Sequence, residues 1–131
     1  MSIKRRTIMV GVITAAGAFG LAPIANAAPI GTTTVTIAAR PNPATSTAPV
    51  GLSSKVKPTI WVTHPTGTVC FYSGTSTTAL ACGTLKLSSN NIMVTHVKVT
   101  LAAGTYSIVA KYSGDNNYLP NSSKTITLVV T

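Results

Sequence analysis

The sequence predicts an all-β domain, a two-sheet antiparallel β-sandwich of about seven strands. One observation is that apolar and polar residues alternate with a period of two in one segment after another, as in strands with a single buried face. Another is that short runs rich in glycine, proline and asparagine separate these segments. The third is that residues 28–131 show no helical period, and their number suits one sandwich domain.

The first half of the domain holds three predicted strands. The first is residues 35–37, and it stops at Arg40-Pro41-Asn42-Pro43 because proline has no N–H to donate to a ladder. The second is residues 50–57, where mostly apolar even-numbered positions alternate with glycine, serine and lysine, and Pro58 ends it. The third is residues 68–72.

The second half holds four more predicted strands: residues 80–87, 94–101, 105–112 and 123–131. Asn90-Asn91 and Gly104 mark turns before two of them. In the last strand Ile126, Leu128 and Val130 share one face. Seven short strands at this spacing predict two sheets packed face to face.

The first 27 residues have the three parts of a secretory signal. Lys4-Arg5-Arg6 precedes an apolar run at residues 8–24, and Ala25-Asn26-Ala27 supplies the small residues of a cleavage site. We therefore predict a signal peptide at residues 1–27, a domain at residues 28–131, and no transmembrane segment after cleavage. The protein is then secreted, or associated with the cell surface. An uncleaved anchor is the alternative, which the missing basic stop-transfer flank disfavours.

The predicted mature chain is strongly basic. Seven of the ten lysines and arginines follow residue 27, and Asp115 is the only acidic residue, so the net charge there is +6. Such a chain is attracted to anionic envelope polymers in a salt-dependent way, or its charge merely keeps it soluble. Four lysines are candidates for a basic patch on one sheet, where His96 would join them: Lys55, Lys57, Lys86 and Lys98. No feature indicates a specific nucleic-acid partner.

The residue types argue against an enzyme. The predicted mature chain has no glutamate, one aspartate and two separated histidines, His64 and His96. Paired carboxylates are therefore impossible, and no nucleophile elbow is present. One aspartate with neighbouring amides is too little for a calcium site. We predict no catalysis, no cofactor and no metal.

The two cysteines, Cys70 and Cys82, flank the turn between two adjacent predicted strands. An exported protein would oxidise them, and we predict a cross-strand disulfide worth about 2 to 3 kcal/mol in the chain-entropy model. A redox pair or metal site is the alternative. Neither a Cys-x-x-Cys spacing nor a nearby histidine supports it.

Several motifs follow one another along residues 31–131: Pro41-Asn42-Pro43-Ala44, Pro65-Thr66-Gly67-Thr68-Val69, Phe71-Tyr72, Leu101-Ala102-Ala103-Gly104-Thr105-Tyr106 and Tyr112-Ser113-Gly114-Asp115-Asn116-Asn117-Tyr118. In this order they resemble the bacterial Ig-like repeat domains. The resemblance implies an immunoglobulin-like fold and a binding or structural role at the cell surface, as in adhesins. The implied partner is an envelope polymer, a glycan or a protein. A small-molecule carrier of the secreted Ig-like apoprotein type is the alternative function.

Three of these motifs contain residues that we expect to be structural. Tyr106, two residues after Gly104, occupies the place of a tyrosine corner, whose hydroxyl bonds to backbone. Phe71 is expected in the core. The run Gly114-Asp115-Asn116-Asn117 is a predicted loop in which glycine has a positive φ and an Asp or Asn side chain bonds its own backbone.

The connection between the second and third predicted strands is unexpectedly apolar. Trp61, the only tryptophan, lies between Ile60 and Val62, with His64 close behind. Two interpretations are open. Either the loop folds back and Trp61 caps the open end of the core, because a large aromatic is costly to leave in water, or Trp61 stays exposed and anchors a partner. The candidate partner-binding loop is therefore Ile60, Trp61, Val62 and His64.

Overall fold

A computed structural model describes residues 28–131, so the predicted signal peptide lies outside the described residues. The described chain forms nine β-strands: β1 Thr33–Arg40, β2 Val50–Pro58, β3 Thr68–Ser73, β4 Ala81–Thr84, β5 Lys86–Leu87, β6 Met93–Val99, β7 Gly104–Tyr112, β8 Asn121–Ser122 and β9 Ile126–Val130. This part of the chain has no helix long and apolar enough to cross a bilayer.

The strands form two antiparallel sheets. One has the order β9-β7-β3-β4, with β8 also paired to β7, and the other has the order β1-β2-β6-β5. The predicted two-sheet sandwich is therefore confirmed. Two strands more than the predicted seven are present, because residues 80–87 form two strands and Asn121–Ser122 adds a short one.

The core lies between the two sheets and follows the period-two pattern. Val50, Leu52 and Val56 of β2 are fully buried, whereas Lys55 and Lys57, on either side of Val56, are exposed. The facing sheet contributes Val69, Phe71, Ile108, Ala110 and Leu128. Burying each large apolar side chain contributes about 1.5–3 kcal/mol, so this alternation fixes which face of each strand points inward.

Residues 80–87 cross from one sheet to the other, which the sequence pattern did not predict. β4 pairs with β3, whereas β5 pairs with β6 in the opposite sheet. Gly83 makes the close approach of the sheets possible, because a Cβ there would lie 2.7 Å from the Thr95 methyl. An alternating sequence pattern indicates which face of a strand is buried but not which sheet the strand joins, so the pattern of residues 80–87 cannot show that the chain changes partner there.

The end of the sandwich that holds the turn before β7 contains the predicted tyrosine corner. The Tyr106 hydroxyl donates a hydrogen bond to the Ala102 carbonyl at 2.7 Å. This bond closes the turn that Gly104 opens, as expected for a tyrosine at the start of a strand.

Candidate functional site

The loop between β2 and β3 exposes three consecutive apolar side chains. Ile60, Trp61 and Val62 are 64%, 50% and 54% exposed. Trp61 therefore does not cap the core, and of the two interpretations the exposed one describes the structure. The reason is that another residue already closes this end: Tyr118 is completely buried, with its hydroxyl beneath the loop.

The Tyr118 hydroxyl holds the backbone of this loop. It donates a hydrogen bond to the Thr63 carbonyl at 2.6 Å and accepts one from the Val62 amide at 3.1 Å. The Ile60 carbonyl and the Thr63 amide lie at 3.2 and 3.3 Å from the same oxygen. Because the polar backbone of the loop turns toward this buried hydroxyl, the side chains of residues 60–62 turn outward.

Asp115 connects the loop between β7 and β8, in which it lies, to the loop between β2 and β3. One carboxylate oxygen accepts hydrogen bonds from the Thr66 amide at 2.8 Å and the Thr66 hydroxyl at 3.1 Å. The other accepts from the amides of Asn117 and Tyr118, both at 2.8 Å. Partial burial pushes the pKa of Asp115 upward, but these N–H donors outweigh it and hold the pKa below its ordinary value. The only acidic side chain in the sequence is thus occupied within the fold.

The two loops interlock through tyrosine and glycine as well. The Tyr112 hydroxyl donates to the Thr66 carbonyl at 2.6 Å, and burial, followed by the charge of Asp115, raises its pKa. Gly114 has the predicted positive φ of 76°, and a Cβ there would lie 2.8 Å from both the Pro120 nitrogen and the Tyr118 carbonyl. The position therefore admits only glycine without distortion.

Two further apolar side chains are exposed at this end. Ile30 is 81% exposed and Leu119 is 42% exposed. The Leu119 amide donates to the Gly31 carbonyl at 2.9 Å, which sets both segments beside the buried ring of Tyr118. We call the set Ile30, Ile60, Trp61, Val62 and Leu119 the apolar end. Sequence reasoning missed Ile30 and Leu119, because only the pairing of Gly31 with Tyr118 brings them there.

His64, the fourth residue of the predicted binding loop, packs against Trp61. The two rings meet edge to face with centroids 5.6 Å apart. The His64 Nε2 lies 2.9 Å from the Asn91 Oδ1 in the turn between β5 and β6. This contact links the Trp61 loop to the β5–β6 turn of the β1-β2-β6-β5 sheet, so the half-buried His64 is a positioning residue for the indole.

A polar hollow of about 400 Å³ lies beside the Trp61 loop. It is lined by Thr63, His64, Thr66, Asp115, Asn116 and Asn117. Because the Asp115 carboxylate is already bonded to Thr66 and to its own loop, the side chains left to face a ligand there are mainly uncharged amides and hydroxyls.

The four predicted patch lysines all project from the outer face of the β1-β2-β6-β5 sheet: Lys55, Lys57, Lys86 and Lys98. Residues directly opposite in a ladder share a face. Lys55 is opposite Val94, which is opposite Lys86, and Lys98 is opposite Gly51, an outward position of β2. We call these four exposed residues the lysine face.

The lysine face is not evenly spread along the sheet. Lys57 immediately precedes Pro58, where β2 meets the Trp61 loop. Lys55 and Lys86 lie level with each other, two residues further from that loop. Lys98 lies near the far end of β6. On the other sheet, Lys111 directly precedes Tyr112 at the same end as Trp61, with its ammonium 4.9 Å from the Tyr72 ring centroid. Lys57 therefore lies next to the apolar end, whereas the Lys111 ammonium is directed toward Tyr72, which is opposite Val109 and further from that end.

Cys70 and Cys82 form the predicted disulfide. They are directly opposite on β3 and β4, with Cα atoms 4.0 Å apart. Their neighbours Val69 and Phe71 point into the core, so the bridge lies on the outer face of its sheet. No group of three or more metal-ligating side chains occurs among residues 28–131.

A separate cleft of about 380 Å³ opens between β1 and the chain around β8. Its walls are mostly apolar and include Val35, Ile37 and Ile126. The Thr33 hydroxyl, which also lines it, is buried without a hydrogen-bond partner among the described residues. This is the cavity relevant to a small-molecule carrier.

The two-sheet antiparallel sandwich with its tyrosine corner defines an immunoglobulin-like domain. The chain belongs to the bacterial Ig-like domain family, group 3, whose family model matches residues 35–131. No curated protein and no solved structure matched the sequence. Domains of this family are structural or binding modules, generally not enzymes, and are often extracellular. The disulfide fits an extracytoplasmic location.

Proposed function

We propose that this protein is a secreted or surface-associated binding module that engages a partner in the cell envelope through its apolar end. The observation that carries the proposal is the exposure of Ile60, Trp61 and Val62 on a loop whose backbone is fixed by a buried hydroxyl. A preorganised loop loses little conformational entropy on binding, and tryptophan is one of the side chains enriched among binding hot spots.

The lysine face has a second role in this proposal. Its charges attract anionic envelope material and speed association, whereas contact at the apolar end sets how long the complex lasts. Attraction of this kind weakens as salt is added, because counterions screen exposed charges over about 8 Å at physiological ionic strength. The two surfaces therefore make separable contributions.

The test is retention of the exported protein on purified envelope fractions at low and at high salt. Trp61→Ala is expected to reduce retention at both salt concentrations. Neutralising the lysine face with four Lys→Gln substitutions is expected to reduce it mainly at low salt. The matched control is Val129→Ser, because Val129 is exposed on β9 near the opposite end of the sandwich. Retention that Trp61→Ala leaves unchanged would rule the apolar end out as the contact surface.

A second candidate function is a small-molecule carrier, and the cleft beside β1 favours it. Its volume of about 380 Å³ lies within the range of ordinary ligand sites, and its lining is mostly apolar with one unpartnered hydroxyl. Native mass spectrometry of the protein purified from its producing cells tests this. A bound small molecule that Thr36→Trp displaces would support a carrier, because Thr36 is an exposed residue of the lining, whereas a bare protein mass would reject it.

A further inference from the structure

The apolar end combines exposed apolar side chains with nearby positive charge. Its exposed side chains are one tryptophan and four aliphatic residues, from three separate segments of the chain. The only acidic side chain nearby, Asp115, is already bonded within the fold, so lysines supply the free charge around this end. The surface is therefore apolar at its tip and positive on the adjoining lysine face.

We infer that the partner of the apolar end is the anionic surface of a phospholipid bilayer; this rests on the proposed function, in which the apolar end is the contact surface. Tryptophan is favoured at the level of lipid headgroups, and aliphatic side chains gain free energy in the acyl region beneath. Lysines beside an inserted tip pair with anionic headgroups.

The spacing of the charges supports shallow insertion. Lys57 is three residues from Ile60, which at about 3.4 Å per extended residue places it within roughly 10 Å of the tip. That distance is close to the Debye length at physiological salt, so its ammonium acts on the headgroups while the tip lies among the acyl chains. Lys55 and Lys86, which lie level with each other two residues further along the same sheet, add positive charge to the same face.

The aliphatic residues of the apolar end favour a lipid over a sugar as its partner. A glycan would stack on the indole and use the neighbouring polar hollow, but Ile60, Val62 and Leu119 would gain nothing from its hydroxyl groups. Hydrocarbon, in contrast, accepts all of these side chains without any requirement for complementary shape. An exposed apolar cluster of this kind is typical of membrane or protein contacts, and the surrounding lysines favour the anionic membrane.

Trp61 makes the inference testable, because as the only tryptophan it is a fluorescence reporter inside the proposed site. The exported protein is mixed with phosphatidylcholine vesicles that contain or lack phosphatidylglycerol. Anionic vesicles are expected to shift the Trp61 emission to the blue, and brominated acyl chains are expected to quench it. The double variant Ile60→Ser, Val62→Ser keeps the reporter and should weaken partitioning by at least about ten-fold.

Two further variants separate the contributions. Lys57→Gln should weaken partitioning roughly five-fold, and added salt should reduce this difference. Val129→Ser, at the opposite end, should partition like the wild type. Circular dichroism spectra identical to that of the wild type confirm that the variants are folded, so loss of partitioning then reports on the surface.

Each other result overturns the inference. Vesicle pelleting with unchanged Trp61 emission would mean adsorption through the lysine face alone. Emission that shifts with an envelope polysaccharide fraction but not with vesicles would assign the apolar end to a glycan. No vesicle binding, together with Trp61-dependent retention on another envelope fraction, would reject lipid and leave the proposed function intact. If Trp61→Ala leaves retention unchanged on every envelope fraction and no vesicles bind, both the lipid inference and the proposed function are rejected.

Discussion

The two ends of the sandwich solve the same structural problem with different residues. At the end that holds Tyr106, the loops consist mainly of small and polar residues, as in Gly74-Thr75-Ser76-Thr77-Thr78. At the other end, the loop that follows Pro58 exposes Ile60, Trp61 and Val62. Both ends use a tyrosine hydroxyl bonded to a loop carbonyl. Turning the chain therefore does not require large apolar residues, and their presence at one end needs another reason.

In the proposed function that reason is binding, and the different burial of the two tyrosines supports this proposal. Tyr118 is completely buried and holds its loop through several backbone groups, whereas Tyr106 is half-buried and makes a single bond. A more firmly held loop at the end with the exposed indole is what a binding surface requires, because a mobile loop would lose entropy on contact.

The largest difference between the ends is expected from two glycines with positive φ. Gly114→Ala should lower the free energy of unfolding by about 2–4 kcal/mol, since the new Cβ is both strained and within 2.8 Å of backbone atoms. Gly74→Ala should cost only about 1–2 kcal/mol, because its φ is also positive but no atom lies within 4 Å of the added carbon. Urea unfolding measures both, and equal losses would show that the two loops are equally tolerant.

The next largest difference concerns the tyrosines. Tyr118→Phe should cost about 1–3 kcal/mol, because it leaves the Thr63 carbonyl and the Val62 amide without their buried partner. Tyr106→Phe should cost about 1 kcal/mol or less, since the Ala102 carbonyl can bond to water instead. Amide hydrogen exchange provides the sharper measurement: Val62 should exchange faster in the first variant and not in the second. Unchanged exchange at Val62 would show that the hydroxyl does not hold the loop.

The free energy of unfolding, measured over a range of pH, tests the role of the Asp115 carboxylate at the Trp61 end. Because the folded-state pKa of Asp115 is lowered, the carboxylate stabilises the fold above its ordinary pKa of 3.8. This stabilisation is lost as the pH falls through the lowered value. Asp115→Asn should cost about 1 kcal/mol at neutral pH, and the difference from the wild type should shrink in acid. A difference that stays constant down to acid pH would contradict the role given to the charge.

The sequence predicted what depends on nearby residues. The alternation in β2, the pairing of Cys70 with Cys82, and the Tyr106 corner all involve residues within one strand or one hairpin, so their spacing is informative. The crossing between sheets within residues 80–87 was missed, because alternation specifies a face but not which sheet a strand joins.

The composition of the candidate site depended on contacts that are distant in sequence. Whether Trp61 enters the core was open, because the residue that fills its place, Tyr118, follows 57 positions later. The contribution of Ile30 was equally hidden, since it depends on the bond between Gly31 and Leu119. The lysines, in contrast, could be assigned to one face, because strand alternation was combined with the sheet order of an Ig-type sandwich.

The smallest expected effect on stability is the one that tests the comparison most directly. Trp61→Ala should change the free energy of unfolding by less than about 1 kcal/mol, because half of the side chain is exposed and it fills no core cavity. Phe71→Ala, which removes a fully buried ring, should cost about 3–5 kcal/mol and sets the scale. Thermal and urea unfolding of both variants measure this directly.

Retention on envelope fractions should show the opposite order for these two positions. Trp61→Ala should weaken it strongly, whereas a milder core change such as Phe71→Leu should leave it near wild type in the folded protein. If Trp61→Ala instead destabilised the fold as much as Phe71→Ala, the indole would be a structural part of the sandwich. A stable variant that no longer binds would mean that the chain keeps Trp61 at this end for its partner, since the fold itself gains almost nothing from it.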